Sequence, residues 1–439
     1  MKLVDFENWL NRFLNFEKTQ KKNIFWLDTM FFLCEKFGNP QDKIPCVHIA
    51  GSKGKGSSSV MIASILEEAG YKCGIYTSPH IVDFRERIKT PFGFFEDLVY
   101  EQAADELIKG IESINQNELP GRRSITWFEL VTLYSFLCFN IAKVDYVIYE
   151  VGLGGRLDST NVVKPVLSCV MPIELEHTEF LGNTVELIAA EKAGIIKKDI
   201  PALISYQRYK ETDEIFINQS KKVETKSIFV DNLIRDFAFS FENFHMNLEV
   251  NSSIFSKSIK TKLKLMGKVQ AENACLASCA VKLIKPEISE EIIENGLAKA
   301  FLPGRYEILN VNDVIFVLDG AHTPHSIANT INNTKNIFSN YEINLLFGCA
   351  SDKDAKDIVS IFEGNVSNVV ITKPNFSRAM DLSELEKLFN NAKINCVSCE
   401  NSENAIQLLL KNYNKSSKNI ILVTGSFYLV SDVVSYLKK

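Results

Sequence analysis

The sequence has no surplus of basic charge. Its 49 lysines and arginines against 54 aspartates and glutamates leave a net charge of -5, which excludes a general polyanion-binding surface and, with it, nucleic acid as an expected partner. A cysteine framework is missing too. Ten cysteines are scattered along the chain, and the nearest pairs, Cys275 with Cys279 and Cys396 with Cys399, lack a second pair or neighbouring histidines for a zinc site. Buried free thiols in a reducing cytoplasm are expected instead. Asp5 and Glu7 interrupt the apolar stretch that an export signal would need. The longest apolar run, Ile125 to Ala142, is broken every third position by Thr126, Glu129 and Thr132, so it reads as a buried helix with one polar stripe and no membrane is implied. Internal repeats, low-complexity tracts and a strict G-x-x-x-x-G-K-[ST] loop are also absent.

What is present is enough for two or three domains, at 439 residues and 46% hydrophobic content. Short runs rich in valine and isoleucine alternate with helical segments at Pro45 to Ala50, Cys73 to Thr77, Tyr146 to Val151, Val166 to Met171 and Pro201 to Ser205. Such alternation builds an α/β fold with a mainly parallel sheet, and nucleotides bind at the carboxyl ends of its strands. Near 225–265 the pattern changes to apolar–polar alternation, as in Phe237 to Glu242, which predicts an inserted antiparallel segment. A second alternation follows, with strands near Val314 to Leu318, Ile343 to Phe347, Val369 to Thr372 and Ile420 to Thr424. The turn at Pro303-Gly304 separates the two sets, giving a large domain over 1–302 and a smaller one over 303–439.

Between the first strand and its helix lies Gly51-Ser52-Lys53-Gly54-Lys55-Gly56-Ser57. Glycines there let several backbone N–H groups converge on an anion, the helix adds the positive end of its dipole, and Lys55 adds a mobile ammonium. A lysine-rich surface turn is the bland alternative. Downstream, Thr77-Ser78-Pro79-His80 and Phe84-Arg85-Glu86-Arg87 gather a hydroxyl, an imidazole and two guanidinium forks suited to carboxylates or phosphates, or else form a helix-start turn with salt bridges. Glu150 ends an apolar strand before the glycine-dense loop to Arg156. A carboxylate at a strand tip beside a phosphate site suits magnesium, which takes oxygen ligands bridging protein and nucleotide. His177 has the chemistry of a metal ligand or of a structural hydrogen-bonding histidine. Lys192 by itself is an ordinary helix lysine, Arg305 a linker charge, and Asp319 a capping residue.

In this order the strings Gly51–Ser57, Thr77–His80 with Phe84–Arg87, Glu150–Arg156, Glu191–Gly194, Leu302–Arg305, Asp319–His322 and Thr424–Phe427 resemble the folylpolyglutamate synthase and dihydrofolate synthase family, relatives of the Mur ligases. The resemblance covers nearly the whole chain. It implies a large P-loop-type domain with a smaller Rossmann-like C-terminal domain, and ATP-dependent addition of L-glutamate to a reduced folate, to dihydropteroate, or to both. A folate carboxylate would attack the γ-phosphate, because phosphate leaves an acyl group readily where oxide does not, and the amine of glutamate would attack the resulting acyl phosphate.

The same resemblance implies that Gly51 to Ser57 hold the ATP phosphates, with Lys55 central. Ser57, Ser78 and Glu150 would surround a first magnesium ion; His177 and Lys192 would serve a second, with Lys192 carried as a carbamate. Asn273, Gln270, Arg305, Asp319 and His322 would contact the nucleotide once the domains close. His80, Phe84, Arg85 and Arg156 are the candidate folate contacts. A monomer that binds only small molecules is implied. Three positions depart from the common pattern: Lys53 stands for asparagine, Thr323 for asparagine, and Glu176 for the aspartate before His177, where an extra methylene would displace the histidine. Dihydrofolate synthase activity alone, a Mur-type ligase acting on a nucleotide-linked precursor, and a nucleotide-binding regulator without catalysis are the rival readings.

Overall fold

The computed structural model describes residues 2–15, 26–80, 82–376, 378–415 and 417–438. A sheet of seven strands forms the first unit: β1 Cys46–Ala50, β2 Cys73–Tyr76, β3 Ile88–Lys89, β4 Tyr146–Glu150, β5 Leu167–Val170, β6 Ala202–Ile204 and β7 Ser227–Phe229, in the order β3-β2-β4-β1-β5-β6-β7. All neighbours run parallel except β3 against β2. β1 is buried at every residue, as its unbroken apolar run requires of a central parallel strand. With β4 and β5 on either side of it, the loops that leave β1, β2, β4 and β5 meet along one edge.

One face of this sheet packs against the helices Lys55–Glu68, Lys268–Ile284 and Glu290–Lys299. The other is covered by Leu3–Leu10, Asp28–Lys36, Asp97–Glu112 and Trp127–Ala142. The last of these is the expected buried helix. Its polar stripe is satisfied locally: Thr126 and Glu129 form a reciprocal capping box, and the hydroxyls of Thr132 and Tyr76 meet at 3.1 Å. No helix among the described residues is long and apolar enough to cross a membrane.

The inserted antiparallel sheet consists of β8 Ile234–Glu242, β9 His245–Ser252 and β10 Ile259–Leu263. It starts later than the sequence suggested. Ser227–Phe229 pairs in parallel with β6 and closes the large sheet, because a three-residue strand is too short to show a period.

The second unit holds β11 Glu307–Val311, β12 Val314–Leu318, β13 Glu342–Phe347, β14 Asn368–Thr372, β15 Cys396–Cys399 and β16 Asn419–Thr424, in the order β11-β12-β16-β13-β14-β15. Only β11 is antiparallel to its neighbour. β11 and β15 escape a reading by hydrophobicity because both are half-exposed edge strands.

Candidate active site

The cradle follows from the backbone of Gly51, whose φ is +145°. A Cβ at that position would stand 2.3 Å from Cβ of Met171, so only glycine lets β1 turn this close to the end of β5. The helix Lys55–Glu68 then begins without any side-chain cap, which leaves its first N–H groups directed at the crevice. Lys55 Nζ donates to the carbonyl of Gly51 at 2.8 Å, folding back over the cradle. Ser52 ties this loop to the one after β5, accepting from Glu174 N–H at 3.0 Å and donating to Glu174 O at 3.1 Å. Asn273 lies against the cradle as well: its Oδ1 would be 2.6 Å from a Cβ on Gly54, and Gln270 accepts from its Nδ2 at 3.0 Å.

Glu150 sits at the tip of β4, buried, with the Ser78 N–H at 3.4 Å as its hydrogen bond. Burial pushes its carboxyl up; Lys55 and Arg305 pull in the other direction but do not cancel it. Gly56 in the first turn of the cradle helix faces it, since a Cβ there would be 3.4 Å from Oε2. Ser57 follows in that turn and Ser78 supplies the amide, so two hydroxyl-bearing residues adjoin in sequence the groups that meet an underpaired carboxylate. This donor set fits a magnesium ion.

Lys192 is buried on the helix Val185–Ala193 and reaches the same cradle, donating to Gly51 O at 3.0 Å and to Glu176 Oε1 at 2.9 Å. Burial brings its amine down to about 8 against the pull of Glu176. Burial raises the Glu176 carboxyl, yet Lys192, Lys55 and Lys53 together hold it at about 2. The extra methylene of Glu176 is thus taken up by an ion pair. His177, on the surface and with a left-handed backbone at the start of the short helix Thr178–Leu181, is close enough to Glu176, Lys192 and Lys55 to feel their charges, and desolvation lowers its pKa. Among the described residues no three His, Cys, Asp or Glu side chains cluster as a ready-made metal site.

From the smaller unit, Arg305 lies over the Phe427 ring at 4.3 Å and near enough to Glu150 and Asp319 to interact with both. Asp319 accepts from Thr330 Oγ1 at 2.6 Å and from Ala321 N–H at 3.2 Å, which fixes the turn carrying His322. His322 Nδ1 donates to Gly320 O at 2.8 Å, leaving Nε2 as an acceptor. Thr323 caps the helix Pro324–Ile337 by accepting from Ser326 N–H, so its hydroxyl does work an asparagine could also do. On that helix His325 meets Glu174 of the large unit at 3.1 Å.

The candidate folate contacts do not all join this cluster. Arg85 is held by Asp83 at 2.7 Å and Asp97 at 3.0 Å, and Arg156 by Glu191 at 2.8 Å. Phe84 is buried, with its ring edge-on to Trp127 and His80. Arg87 turns inward instead: it donates through Nε to His80 Nδ1 at 2.8 Å and covers the Trp127 ring at 4.9 Å. The signal was in the sequence. Asp83 and Glu86 form a capping box around Phe84–Arg87, and the aspartate of that box is the group that holds Arg85.

Two histidines make stability depend on pH. Burial, with Lys53 nearby, pushes His322 down to about 3, and burial with Lys197 keeps His48 far below its ordinary value. Each stays neutral in the fold but takes a proton in the unfolded chain below about pH 6.5, so stability is full above that pH and falls as pH drops through it. Urea melts between pH 7 and pH 5 should show a loss of up to about 1.4 kcal/mol per unit for each histidine, and His322→Asn should flatten the slope.

Two family descriptions match the chain: Mur ligase middle domain over residues 49–281, and Mur ligase, glutamate ligase domain, over 304–427. The dihydrofolate synthase/folylpolyglutamate synthase of Bacillus subtilis is 33% identical over 431 residues, covering 94% of this chain and 95% of that protein. Among solved structures, Mycobacterium tuberculosis folylpolyglutamate synthase complexed with ADP and AMPPCP superposes with a TM-score of 0.86 at 25% identity, covering 100% of this chain and 98% of the other. The Escherichia coli FolC structure in complex with DHPP and ADP gives a TM-score of 0.82 at 25% identity, covering 99% and 97%.

Proposed function

Since the chain belongs to the Mur ligase family, among its folylpolyglutamate and dihydrofolate synthases, and is an ATP-dependent ligase, we propose that it adds L-glutamate to a reduced folate, to dihydropteroate, or to both, through an acyl phosphate. The observation that carries the reading is the convergence of Lys55, Glu150, Lys192 and Arg305 on one crevice between two α/β units. Cradle amides and Lys55 would bind the β- and γ-phosphates. Asn273, beside the cradle, would contact the nucleotide from the large unit, while Arg305, Asp319 and His322 would bind it from the opposite side and exclude water from the labile acyl phosphate. Magnesium, held by Ser57, Ser78 and Glu150, would neutralise the phosphate charge that otherwise repels the attacking carboxylate.

Inorganic phosphate release tests this. With ATP and glutamate present, release should require a pteridine acceptor; tetrahydrofolate and dihydropteroate separate the two activities, and silence with both overturns the proposal.

Lys192 is read as a carbamate-forming lysine, for which its lowered amine pKa of about 8 is the support. A neutral amine adds carbon dioxide and releases a proton. The product would set two anions, Lys192 carbamate and Glu176, face to face, an arrangement that calls for a cation beside them. Lys192→Ala should therefore lose most turnover and recover part of it in formate or acetate buffer; a normal rate without rescue marks an ordinary lysine. Eight of the ten cysteines are buried as free thiols, in keeping with a reducing cytoplasm, and a monomer suffices for the site.

A further inference from the structure

His48 lies on β1, fully buried, two residues before the strand ends at Ala50. It faces away from the cradle helix, so no role in holding phosphate explains it. Its Nε2 is 2.8 Å from Thr160 Oγ1, and that hydroxyl donates to Asp158 Oδ1 at 2.5 Å. A hydroxyl has one proton. Because the carboxylate receives it, His48 must donate through Nε2–H, and its Nδ1, which has no partner, is the unprotonated nitrogen. The ring is therefore fixed as one neutral tautomer.

Asp158 spends its remaining capacity on backbone. Oδ1 also accepts the Thr160 N–H at 2.9 Å, while Oδ2 accepts the N–H groups of Gly152 at 3.1 Å and Leu153 at 2.9 Å. Those amides start the loop directly after Glu150 and Val151. The far side of the same loop is seated on the helix that carries Lys192. Arg156 N–H donates to Glu191 O at 2.8 Å, and Gly155 lies so close that a Cβ would meet Glu191 O at 2.8 Å and Lys192 Cα at 3.0 Å. Three buried side chains, continued by the backbone of this loop, thus join β1, the strand tip bearing Glu150 and the helix bearing Lys192. A buried ring nitrogen without a partner costs free energy that an apolar residue would not, so the path is an expensive way merely to fill a core.

We propose that His48, Thr160 and Asp158 act as a clasp that sets the cradle, Glu150 and Lys192 at working distances, making His48 and Thr160 positioning residues for the ligase reaction. The inference rests on the function proposed above. Losing a hydrogen bond that orients a metal-holding side chain typically costs about 10- to 100-fold in metal affinity or activity, and the clasp acts on Glu150 through the backbone of the loop behind it.

Thr160→Val keeps the shape and removes both side-chain bonds; Thr160→Ser keeps the hydroxyl. The valine variant should lose about 10- to 100-fold in kcat, and the magnesium concentration needed for half-maximal ADP binding, read by calorimetry, should rise by a similar factor. Its melting midpoint should fall, because the buried His48 Nε2–H loses its acceptor, but the variant should remain folded at the assay temperature, and serine should restore both readouts. Should Thr160→Val not fold, His48→Gln, which retains a donor, against His48→Leu, which does not, repeats the comparison. The clasp is overturned if Thr160→Val or His48→Leu turns over and binds Mg·ADP as the parent does, or if Thr160→Ser is as impaired as Thr160→Val. A parent without acceptor-dependent turnover overturns the proposed function instead, while the Mg·ADP titrations still decide the clasp.

Discussion

Lys55→Ala is expected to lower turnover by about 100- to 1000-fold, equivalent to about 3–4 kcal/mol of transition-state stabilisation. The side chain already lies across the cradle, 2.8 Å from the Gly51 carbonyl, so it needs only to swing from a backbone oxygen to a phosphate oxygen when ATP enters. Lys192 is committed to Glu176 and Gly51 O, and its amine is brought down to about 8. Stability should change little, because the repulsion that Lys55 exerts on Lys53 and Lys192 is set against the attraction it gives the carboxylates of Glu150 and Glu176. Initial rates paired with thermal melts check both halves. Near-parental turnover would remove Lys55 from its assigned role.

Glu150→Gln should separate activity from stability still more sharply. Glutamine preserves shape and keeps an acceptor for the Ser78 N–H, but it removes the charge on which an oxygen-ligated divalent ion depends. A fall of at least about 100-fold in turnover is expected, with only partial recovery at raised magnesium. The melting midpoint without ligands should hold or rise. Burial raises the pKa of this carboxyl in the fold, so its ionised form at neutral pH opposes folding, and the neutral amide avoids that penalty. A variant that is active and destabilised would give Glu150 a structural role instead.

The two predictions concern residues legible in different ways. Glycine spacing and a strand–turn–helix pattern marked Lys55, since only a few sequences let a backbone converge on an anion. Glu150 stood out as an acid ending an otherwise apolar strand, where desolvation needs compensation. Arg85 shows the limit of such reading. A charged residue in a suggestive string looks available until its neighbours are in place, and here Asp83 and Asp97 take it while Arg87 turns toward His80 and Trp127. Glu176 shows it again: the sequence marked its extra methylene only through His177, and the ion pair it makes with Lys192 at 2.9 Å needed the fold to be seen. β11 and β15 were missed because half-buried edges carry too weak an apolar pattern.

By itself, the sequence determined the alternation of strands and helices, the glycine turn ahead of a helix and the acid at a strand tip. Each of these depends on period, backbone freedom or burial of one residue type, and such properties are local. Tertiary structure alone decided which charges remain available, how Lys192 comes back to Gly51 across 141 positions, and that His48 reaches Asp158 through a single hydroxyl. Those outcomes are set by distances of about 3 Å between atoms far apart in the chain, and no local pattern encodes a distance that only packing can impose.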